Sequence, residues 1–407
     1  MTAGPERRGA MATGAGESPH PRVRVKPPRP PTSVWRAEDL ARADVAAAEL
    51  PVIRPDQVAP LVAGLDLWDI APVRTAAGTP ATVAGEDLWL ALSAPATGDP
   101  WGRHDIARLR LIGHGPGGWR DLGHLFPDGA SPGSREWAGT AVYDERDATL
   151  AVLYTAAGGR DATTPRLRQR IVATSARVVA EGGIIRCTGW RPHREVLAAD
   201  GSIYASTDAD HGELGFITAF RDPFPFRDPA DGREWVVFAA SRPDGVSTFA
   251  GAVGLAEVGA GGEHRLAAPL LYADGVNTEL ERPHLVMHDG RYHLFFSTQR
   301  HTFAPGVAGP TGLYGFFAPA LTGPYAPLNG SGLVLANPAA EPLQAYSWLV
   351  LPDLRVVSFV DFHSLGGVTP LQLAADGVDA LRRHFGGTLA PLQRLRIDGA
   401  TAAIERG

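Results

Sequence analysis

The chain has 407 residues, 44% of them hydrophobic and 20% charged, so it can bury a large core. Its formal net charge of −6 argues against nucleic acid or an anionic membrane as a partner and suits a neutral substrate. The single cysteine, Cys187, excludes an intrachain disulfide and a thiolate metal site, and its apolar neighbours predict a buried, unreactive thiol.

The first 32 residues are rich in Pro, Gly and Arg and lack the apolar segment of a secretory signal. We predict a disordered tail at 1–32 and a protein that is cytoplasmic or exported by a non-classical route. No stretch of the sequence is long and apolar enough to cross a membrane. Helix-forming composition predicts one helix from Ala37 to Leu50 and a second, short helix near Pro55 to Leu61.

From Asp66 onward, short apolar runs alternate with clusters of Gly, Pro and Asp, a pattern typical of an all-β sandwich, barrel or propeller. No internal linker divides the chain, so we expect one catalytic domain over residues 33–407. Asp289-Gly290, between two apolar runs, predicts a hairpin turn. The predicted strands include Asp87–Ser93, Ala107–Ile112, Thr149–Thr155, Arg170–Val179, Glu234–Ala239, Tyr292–Ser297, Leu313–Phe317 and Leu354–Val360.

Three acidic clusters could carry chemistry, and the first surrounds Asp69. If this segment is a strand, Asp69 shares one face with Leu67, and Asp66 shares the other with Trp68. An aspartate among apolar neighbours costs free energy unless it has a partner or a chemical role. Taken alone, this cluster favours the alternative, a turn-capping or hydrogen-bonded structural aspartate.

The second cluster is the Arg221-Asp222 pair, and the third contains Glu279 and Glu281. An Arg-Asp pair by itself is also what a salt bridge at a strand end looks like. At strand spacing, Glu279 and Glu281 point to the same face, and two close carboxylates raise each other's pKa, which keeps a general acid protonated near neutral pH. An exposed acidic strand edge is the alternative.

In this order on an all-β chain, the clusters resemble glycoside hydrolase family 68, the levansucrases and their β-fructofuranosidase relatives. The resemblance covers most of the chain from Val34 to about His363. The nucleophile motif Asn-Asp-Pro-Asn-Gly of the invertase family is absent. The resembling stretches are Asp66–Asp69, Arg135–Gly139, Phe220–Pro223, Glu279–His284, Leu321–Tyr325 and Tyr346-Ser347.

The resemblance implies a five-bladed β-propeller with a funnel-shaped pocket, which the predicted N-terminal helices would precede. It also implies an enzyme that cleaves sucrose with retention of configuration and transfers the fructosyl unit to water or sugar acceptors. In that reaction Asp69 is the nucleophile, Glu281 the acid/base and Asp222 the transition-state stabiliser. The sugar-orienting positions of the family fall on Trp68, Trp137, Arg221, Glu279, Arg282 and Tyr346, and core packing is the alternative for the two tryptophans.

Several positions depart from relatives in the same family. Ala138 and Ala239 stand where Gram-positive members carry a serine and a glutamate. Thr278 replaces an aspartate that ligates structural calcium in those members, so we expect no metal and no cofactor. Gln299 occupies the acceptor-side position where levan formers usually have His or Arg, and this favours short products. His301 and Arg300 lie close by and are the alternatives for that acceptor-side role.

Three alternatives stay open beside the main interpretation. The first is a levansucrase that makes long β-2,6-fructan, which product size would distinguish. The second is a non-catalytic sugar-binding propeller that has kept the pocket, which would release no glucose from sucrose. The third is an inverting propeller glycosidase on plant polysaccharides, which would leave sucrose intact.

Overall fold

A computed structural model of the chain describes residues 33–161, 163–209, 217–245 and 247–405. Residues 1–32, for which the sequence predicts disorder, lie outside this part. The described strands form five sheets, which are the blades of a five-bladed β-propeller. None of the helices in the described ranges is long and apolar enough to cross a membrane.

The blades are numbered here by the chain order of their innermost strands. Blade 1 contains Leu65–Pro72, Thr82–Val83, Glu86–Pro95, Arg108–Gly115 and Gly118–His124; blade 2 contains Arg74–Thr75, Arg135–Asp144, Thr149–Ala157, Gln169–Glu181, Ile184–Thr188 and Arg194–Ala198; blade 3 contains Ser33–Val34, Phe220–Arg227, Glu234–Ser241, Gly251–Val258 and His264–Tyr272; blade 4 contains Glu281–His288, Arg291–Thr298, Gly312–Ala318, Ala326–Pro327 and Leu333–Ala336; blade 5 contains Ala345–Val350, Arg355–Phe362, Phe385–Leu389, Gln393–Asp398 and Thr401–Ile404.

All eight predicted strands coincide with observed strands, with each end shifted by at most three residues. Each blade lies between two neighbours, so its inner strands are covered on both faces and are apolar almost throughout. In Glu234–Ser241 and Arg291–Thr298, for example, every residue except the first is buried. This burial explains why these strands are prominent in the sequence.

The predicted hairpin at Asp289-Gly290 is confirmed. His288 pairs with Arg291 across the two-residue turn. Asp289 has φ of 46° and Gly290 has φ of 70°, and two positive φ angles in succession are what a type I′ turn requires.

The single helix predicted from Ala37 to Leu50 is wrong, because the segment forms two short helices, Ala37–Leu40 and Val45–Ala48. The Asp44 carboxylate accepts a hydrogen bond from the Ala47 backbone N–H and so starts a new helix in the middle of the predicted one. The helix predicted near Pro55 is only the 3₁₀ turn Pro55–Gln57. The other helices are Pro100–Asp105, Arg300–Thr302 and Leu328–Gly330, which are 3₁₀, and Pro370–Ala375 and Val378–Arg382, which are α.

The segment from residue 33 to residue 59 runs along the outside of blades 3, 4 and 5. Ser33–Val34 adds a parallel strand to Leu271-Tyr272 at the edge of blade 3. Trp35 is fully buried against blade 4, where its ring contacts Phe296, Phe303, Tyr314 and Phe316. The carbonyl of Ala59 accepts a hydrogen bond from the Thr388 hydroxyl of blade 5. This N-terminal segment therefore joins three blades.

Candidate active site

A pocket of about 440 Å³ lies at the propeller axis, and the innermost strand of every blade contributes to its wall. The pocket brings together all eleven residues that the sequence assigns to the site: Trp68, Asp69, Trp137, Arg221, Asp222, Glu279, Glu281, Arg282, Gln299, His301 and Tyr346. The other lining residues are Leu92, Trp101, Arg103, His104, Asp105, Arg135, Ala138, Arg166, Leu167, Ile217, Ser347, Phe359 and Asp361. The structure thus places the residues, while their roles stay predictions.

Each innermost strand has a register shift where it reaches the pocket. In four blades, a non-glycine residue at the register shift has a backbone conformation in the left-handed region. These residues are Asp69 (φ 50°), Asp222 (φ 60°), Arg282 (φ 48°) and Ser347 (φ 61°). Such residues cost about 1–3 kcal/mol each and are concentrated at functional sites. In blade 2 the shift ends at Gly139, where a Cβ would lie 2.6 Å from the Leu153 carbonyl oxygen. Four of the five innermost strands therefore carry a residue with strained backbone where they reach the pocket.

These bulges overturn the predicted side-chain alternation in blade 1. Trp68 and Asp69, predicted to face opposite sides of the strand, both line the pocket, whereas Leu67 is buried in the core. The bulge after Trp68 adds residues without a partner on the neighbouring strand, so period-two alternation fails there. Glu279 and Glu281, predicted to share one face of a strand, both reach the pocket. Glu279 lies before the strand that begins at Glu281, so strand alternation is not the reason.

Arg221 connects three carboxylates of the cluster. Its Nη2 lies 2.8 Å from Oε1 of Glu281 and 3.3 Å from Oε2 of Glu279, and its Nε lies 3.8 Å from Oδ2 of Asp222. Burial alone would lower the pKa of Arg221, but the three carboxylates outweigh it and raise that pKa. The guanidinium is therefore a fixed positive charge at the centre of the site.

The cluster retains protons near neutral pH. Burial raises the pKa of Asp222 to about 7, against the opposing charge of Arg221, and the charges of Glu281 and Asp69 add to the increase. Burial also raises the pKa of Glu279 to about 7, again opposed by Arg221 and supported by Glu281. Because these groups interact strongly, the proton belongs to the cluster rather than to one residue.

We expect a descending alkaline limb in the pH profile of sucrose cleavage. The cluster is protonated below about pH 7 and loses its proton as the pH rises, so kcat/KM should fall above that value. Replacing Glu279 with Gln removes one negative charge and should shift the limb to lower pH. Initial rates of glucose release from pH 4 to 10 test both expectations, and a limb that shifts upward in Glu279→Gln would contradict them.

Asp69 is half-buried and its carboxyl group faces the pocket. Burial raises the pKa of Asp69, while the Arg282 guanidinium, a hydrogen bond from the Ser347 hydroxyl and the Arg103 charge oppose that increase. Arg282 donates from Nη1 to the Ser347 hydroxyl at 2.9 Å and from its backbone N–H to Oδ2 of Asp222 at 3.1 Å. Arg282 therefore links the groups around Asp69 to Asp222.

Glu281 is held by donors from two other blades. Its Oε1 accepts a hydrogen bond from Arg221 of blade 3, and its Oε2 accepts one from the Tyr346 hydroxyl of blade 5. The Glu281 side chain is 20% exposed, against 7% for that of Glu279. Glu281 is thus the more accessible carboxylate for proton exchange with a ligand.

The two predicted tryptophans occupy different environments. Trp68 is 1% exposed and packs edge-on against His104, so core packing accounts for most of its surface. Trp137 is half-buried, and its Nε1 donates to the His104 carbonyl at 3.0 Å. Gln299 lines the pocket directly before the 3₁₀ turn Arg300–Thr302. His301, within that turn, also lines the pocket and is exposed.

Sequence patterns did not predict several lining residues, among them Arg103, His104, Ser347 and Asp361. Burial lowers the pKa of His104 well below its ordinary value, and neighbouring guanidinium groups add to this, so its ring is neutral. Ser347 lay inside a resembling stretch. Asp361 carried the signal used for Asp69, an acid in an apolar strand. For Arg103 and His104 we find no comparable signal.

The position of Thr278 does not suit a cation. Its hydroxyl is neutral and donates to the Thr248 carbonyl at 3.4 Å. Within the described ranges, no group of three or more His, Cys, Asp or Glu side chains is arranged to hold a metal ion. Hard cations need several oxygen ligands, usually including carboxylates.

We therefore expect a chelator to leave both activity and thermal stability unchanged. The measurements are the rate of glucose release and the Tm, each with EDTA and with added calcium. The prediction would be wrong if EDTA lowered either quantity and calcium restored it.

The fold and the site define a class of protein. A pocket at the propeller axis that holds several carboxylates, guanidinium groups and tryptophans is suited to sugar processing, because carboxyl pairs perform glycosidic bond cleavage. The sequence profile of the family described as Levansucrase/Invertase matches residues 31–260 and 239–406. The chain belongs to this family, glycoside hydrolase family 68. The predicted family, five-bladed fold and enzyme class acting on sucrose are confirmed.

Similar proteins support the assignment. A levansucrase of Rahnella aquatilis is 32% identical over 382 residues, which cover 84% of this chain and 86% of that protein. An inulosucrase from Halalkalicoccus jeotgali, solved bound to kestose, has a TM-score of 0.85 and 38% identity over 92% of this chain and 95% of its own. The levansucrase of Gluconacetobacter diazotrophicus has a TM-score of 0.77 and 26% identity over 92% and 90%.

Proposed function

We propose that the chain cleaves sucrose by two displacements at the fructosyl carbon, through a fructosyl-Asp69 intermediate. Glu281 donates a proton to the glycosidic oxygen. The bond between that oxygen and the fructosyl carbon breaks, glucose leaves, and Asp69 forms an ester with the fructosyl carbon. Glu281 then removes a proton from water or a sugar hydroxyl, which attacks that carbon and releases Asp69. Two inversions give net retention.

The observation that carries the proposal is the shared hydrogen-bonding frame of the carboxylates. Arg221 holds Glu281 and Glu279 from one guanidinium, and Arg282 binds Asp222 while its charge favours ionised Asp69. Arg282, Ser347 and Arg103 favour the carboxylate form of Asp69 against the effect of burial, beside a group of carboxyls that retains a proton. When the shared proton resides on Glu279 or Glu281, Asp222 is negative, and that charge suits a transition state with oxocarbenium character.

Glucose release from sucrose is the direct test. Purified protein should release glucose, and NMR should show the β-anomer of fructose forming first, as retention requires. Absence of glucose release would favour a non-catalytic sugar-binding propeller, and initial formation of the inverted anomer would refute the fructosyl-Asp69 intermediate.

We expect mainly glucose, fructose and short transfer products. Polymer growth requires that the chain end be held for attack on the intermediate, and positioning of this kind contributes much of a bimolecular barrier. Gln299 is neutral, and its hydrogen bonds are weaker than charge-assisted ones. Gln299→His should therefore increase the proportion of longer products, measured by size-exclusion chromatography at high sucrose concentration. Gln393→His, on the outer part of blade 5, is the matched control.

Long β-2,6-fructan is the second candidate product, favoured by the relatives named levansucrase that are 32–33% identical to this chain. Abundant high-mass polymer from the wild type, with β-2,6 linkages shown by NMR, would establish it. An unchanged product profile in Gln299→His would show that Gln299 does not limit chain length.

A further inference from the structure

A second cavity, of about 20 Å³, lies on the propeller axis beyond the active-site pocket. All five blades line it. On each innermost strand its lining residues come at or after those of the active-site pocket, as Phe224 follows Asp222 and Leu349 follows Ser347. About 10–15 Å³ of such volume holds one water molecule, so this axial cavity has room for one small ion and none for a sugar.

Arg74 brings a positive charge to the axial cavity. It lies in the short strand Arg74–Thr75 on the axial edge of blade 2, is 9% exposed and lines the cavity. Its Nη2 donates to the Pro225 carbonyl at 3.0 Å, and its guanidinium lies 3.9 Å from the centre of the Phe224 ring. Its buried Nε has no hydrogen-bond acceptor in the described ranges. None of these contacts supplies a negative charge.

Arg74 differs in this respect from the other buried arginines of the described ranges. Burial lowers its pKa to about 10 with no carboxylate opposing the change, so the group stays charged at neutral pH. A buried charge without a partner is costly, which indicates a counter-ion from outside the chain. The other five buried arginines each interact with a carboxylate: Arg103 with Asp361, Arg110 with Asp121, Arg135 with Asp105, Arg221 with Glu281 and Arg282 with Asp69.

The other lining residues of the axial cavity do not supply the missing charge. Asp222 is the one carboxylate among them, and it accepts from the Arg282 backbone N–H and lies 3.8 Å from Arg221. The Thr140 hydroxyl donates to the Pro223 carbonyl. Apart from these groups and the two arginines, the walls consist of apolar residues and glycine. Two guanidinium groups against one carboxylate leave the lining with a net positive charge.

We propose that the axial cavity binds one small monovalent inorganic anion, a halide such as chloride, as the counter-ion of Arg74. A single-atom ion fits the volume, whereas sulfate or phosphate, with four oxygens, does not. A guanidinium N–H donates a charge-assisted hydrogen bond to such an ion. Because residues of all five blades meet around the cavity, the ion neutralises a buried charge only in the folded propeller, so it stabilises the folded state. Anion binding of this kind does not depend on the proposed reaction.

Bromide is the probe for the direct test, because anomalous X-ray scattering at its absorption edge distinguishes it from water. Crystals of the wild type soaked in sodium bromide should show an anomalous peak beside the Arg74 guanidinium, inside the axial cavity. Crystals of Arg74→Met, which removes the charge at similar side-chain length, should lack that peak. A wild type without the peak would overturn the proposal, and this result does not require the variant to fold.

The chloride dependence of the Tm gives a second measurement in solution. The wild-type Tm should rise by about 2 °C or more, and then level off, as sodium chloride replaces sodium gluconate at constant ionic strength. The rise should disappear in Arg74→Met and persist in the matched control Arg146→Met, whose side chain is 88% exposed. Equal rises in the wild type and Arg74→Met would contradict the proposal. A bromide peak without any rise in the wild-type Tm would indicate an adventitious ion only and would also overturn it.

Discussion

Asp69→Asn is expected to lower kcat for sucrose cleavage at least about a hundredfold, which corresponds to about 2.7 kcal/mol of lost transition-state stabilisation. A neutral amide cannot form the fructosyl ester, and the side chain is otherwise the same size. Asp69 keeps a strained left-handed φ of 50°, which asparagine tolerates as well as aspartate does, so the fold should survive. The Tm of the variant should therefore stay close to that of the wild type.

The same loss is expected for Asp222→Asn and Glu281→Gln, because each removes a different part of the proposed reaction. Asp128→Asn, whose side chain is 91% exposed, is the control and should retain full activity. Near-normal activity in a purified, folded variant would refute the role assigned to that residue.

Trp35→Ala is expected to reduce the free energy of unfolding by about 3–5 kcal/mol, the usual cost of removing a fully buried aromatic side chain. Trp35 is 0% exposed, its ring centre lies 4.9 Å from that of Tyr314, and its Nε1 donates to the Ser331 carbonyl at 3.1 Å. The loss should extend beyond the cavity itself, because Trp35 holds the N-terminal segment against blade 4.

Urea unfolding followed by tryptophan fluorescence and circular dichroism measures this effect. Trp35→Phe keeps the aromatic contacts but loses the hydrogen bond, so it should lose less stability than Trp35→Ala. Leu371→Ala, at a side chain that is 74% exposed, should change stability by about 0.5 kcal/mol or less. A loss below about 1 kcal/mol in Trp35→Ala would show that the N-terminal segment is not needed for blade packing.

The sequence indicated the strands because blade packing buries them on both faces, and it indicated the turn at Asp289-Gly290 because only a few residues accept two positive φ angles in succession. It also identified the main acidic residues through a motif order that is specific to the family. The strands and the turn are local features, because neighbouring residues along the chain determine them. Each acidic motif is also local, whereas the order of the motifs extends over most of the chain.

Tertiary structure alone decided the features that depend on distant partners. The bulge at Asp69 turns Trp68 and Asp69 to the same pocket, because the strand register is set against Glu86–Pro95 and not by alternation in the sequence. The N-terminal helix is interrupted at Asp44 because the following residues are fixed to blade 4, where the Leu50 backbone N–H donates to the Ala336 carbonyl.

The contact between Arg103 and Asp361 also depends on tertiary structure. The two residues are 258 positions apart in the chain and meet only when blade 5 closes against blade 1. The residue types in the site were therefore determined by the sequence itself. The closure of the propeller decided which of their atoms face one another and which groups retain protons, since burial and charge act through space and not along the chain.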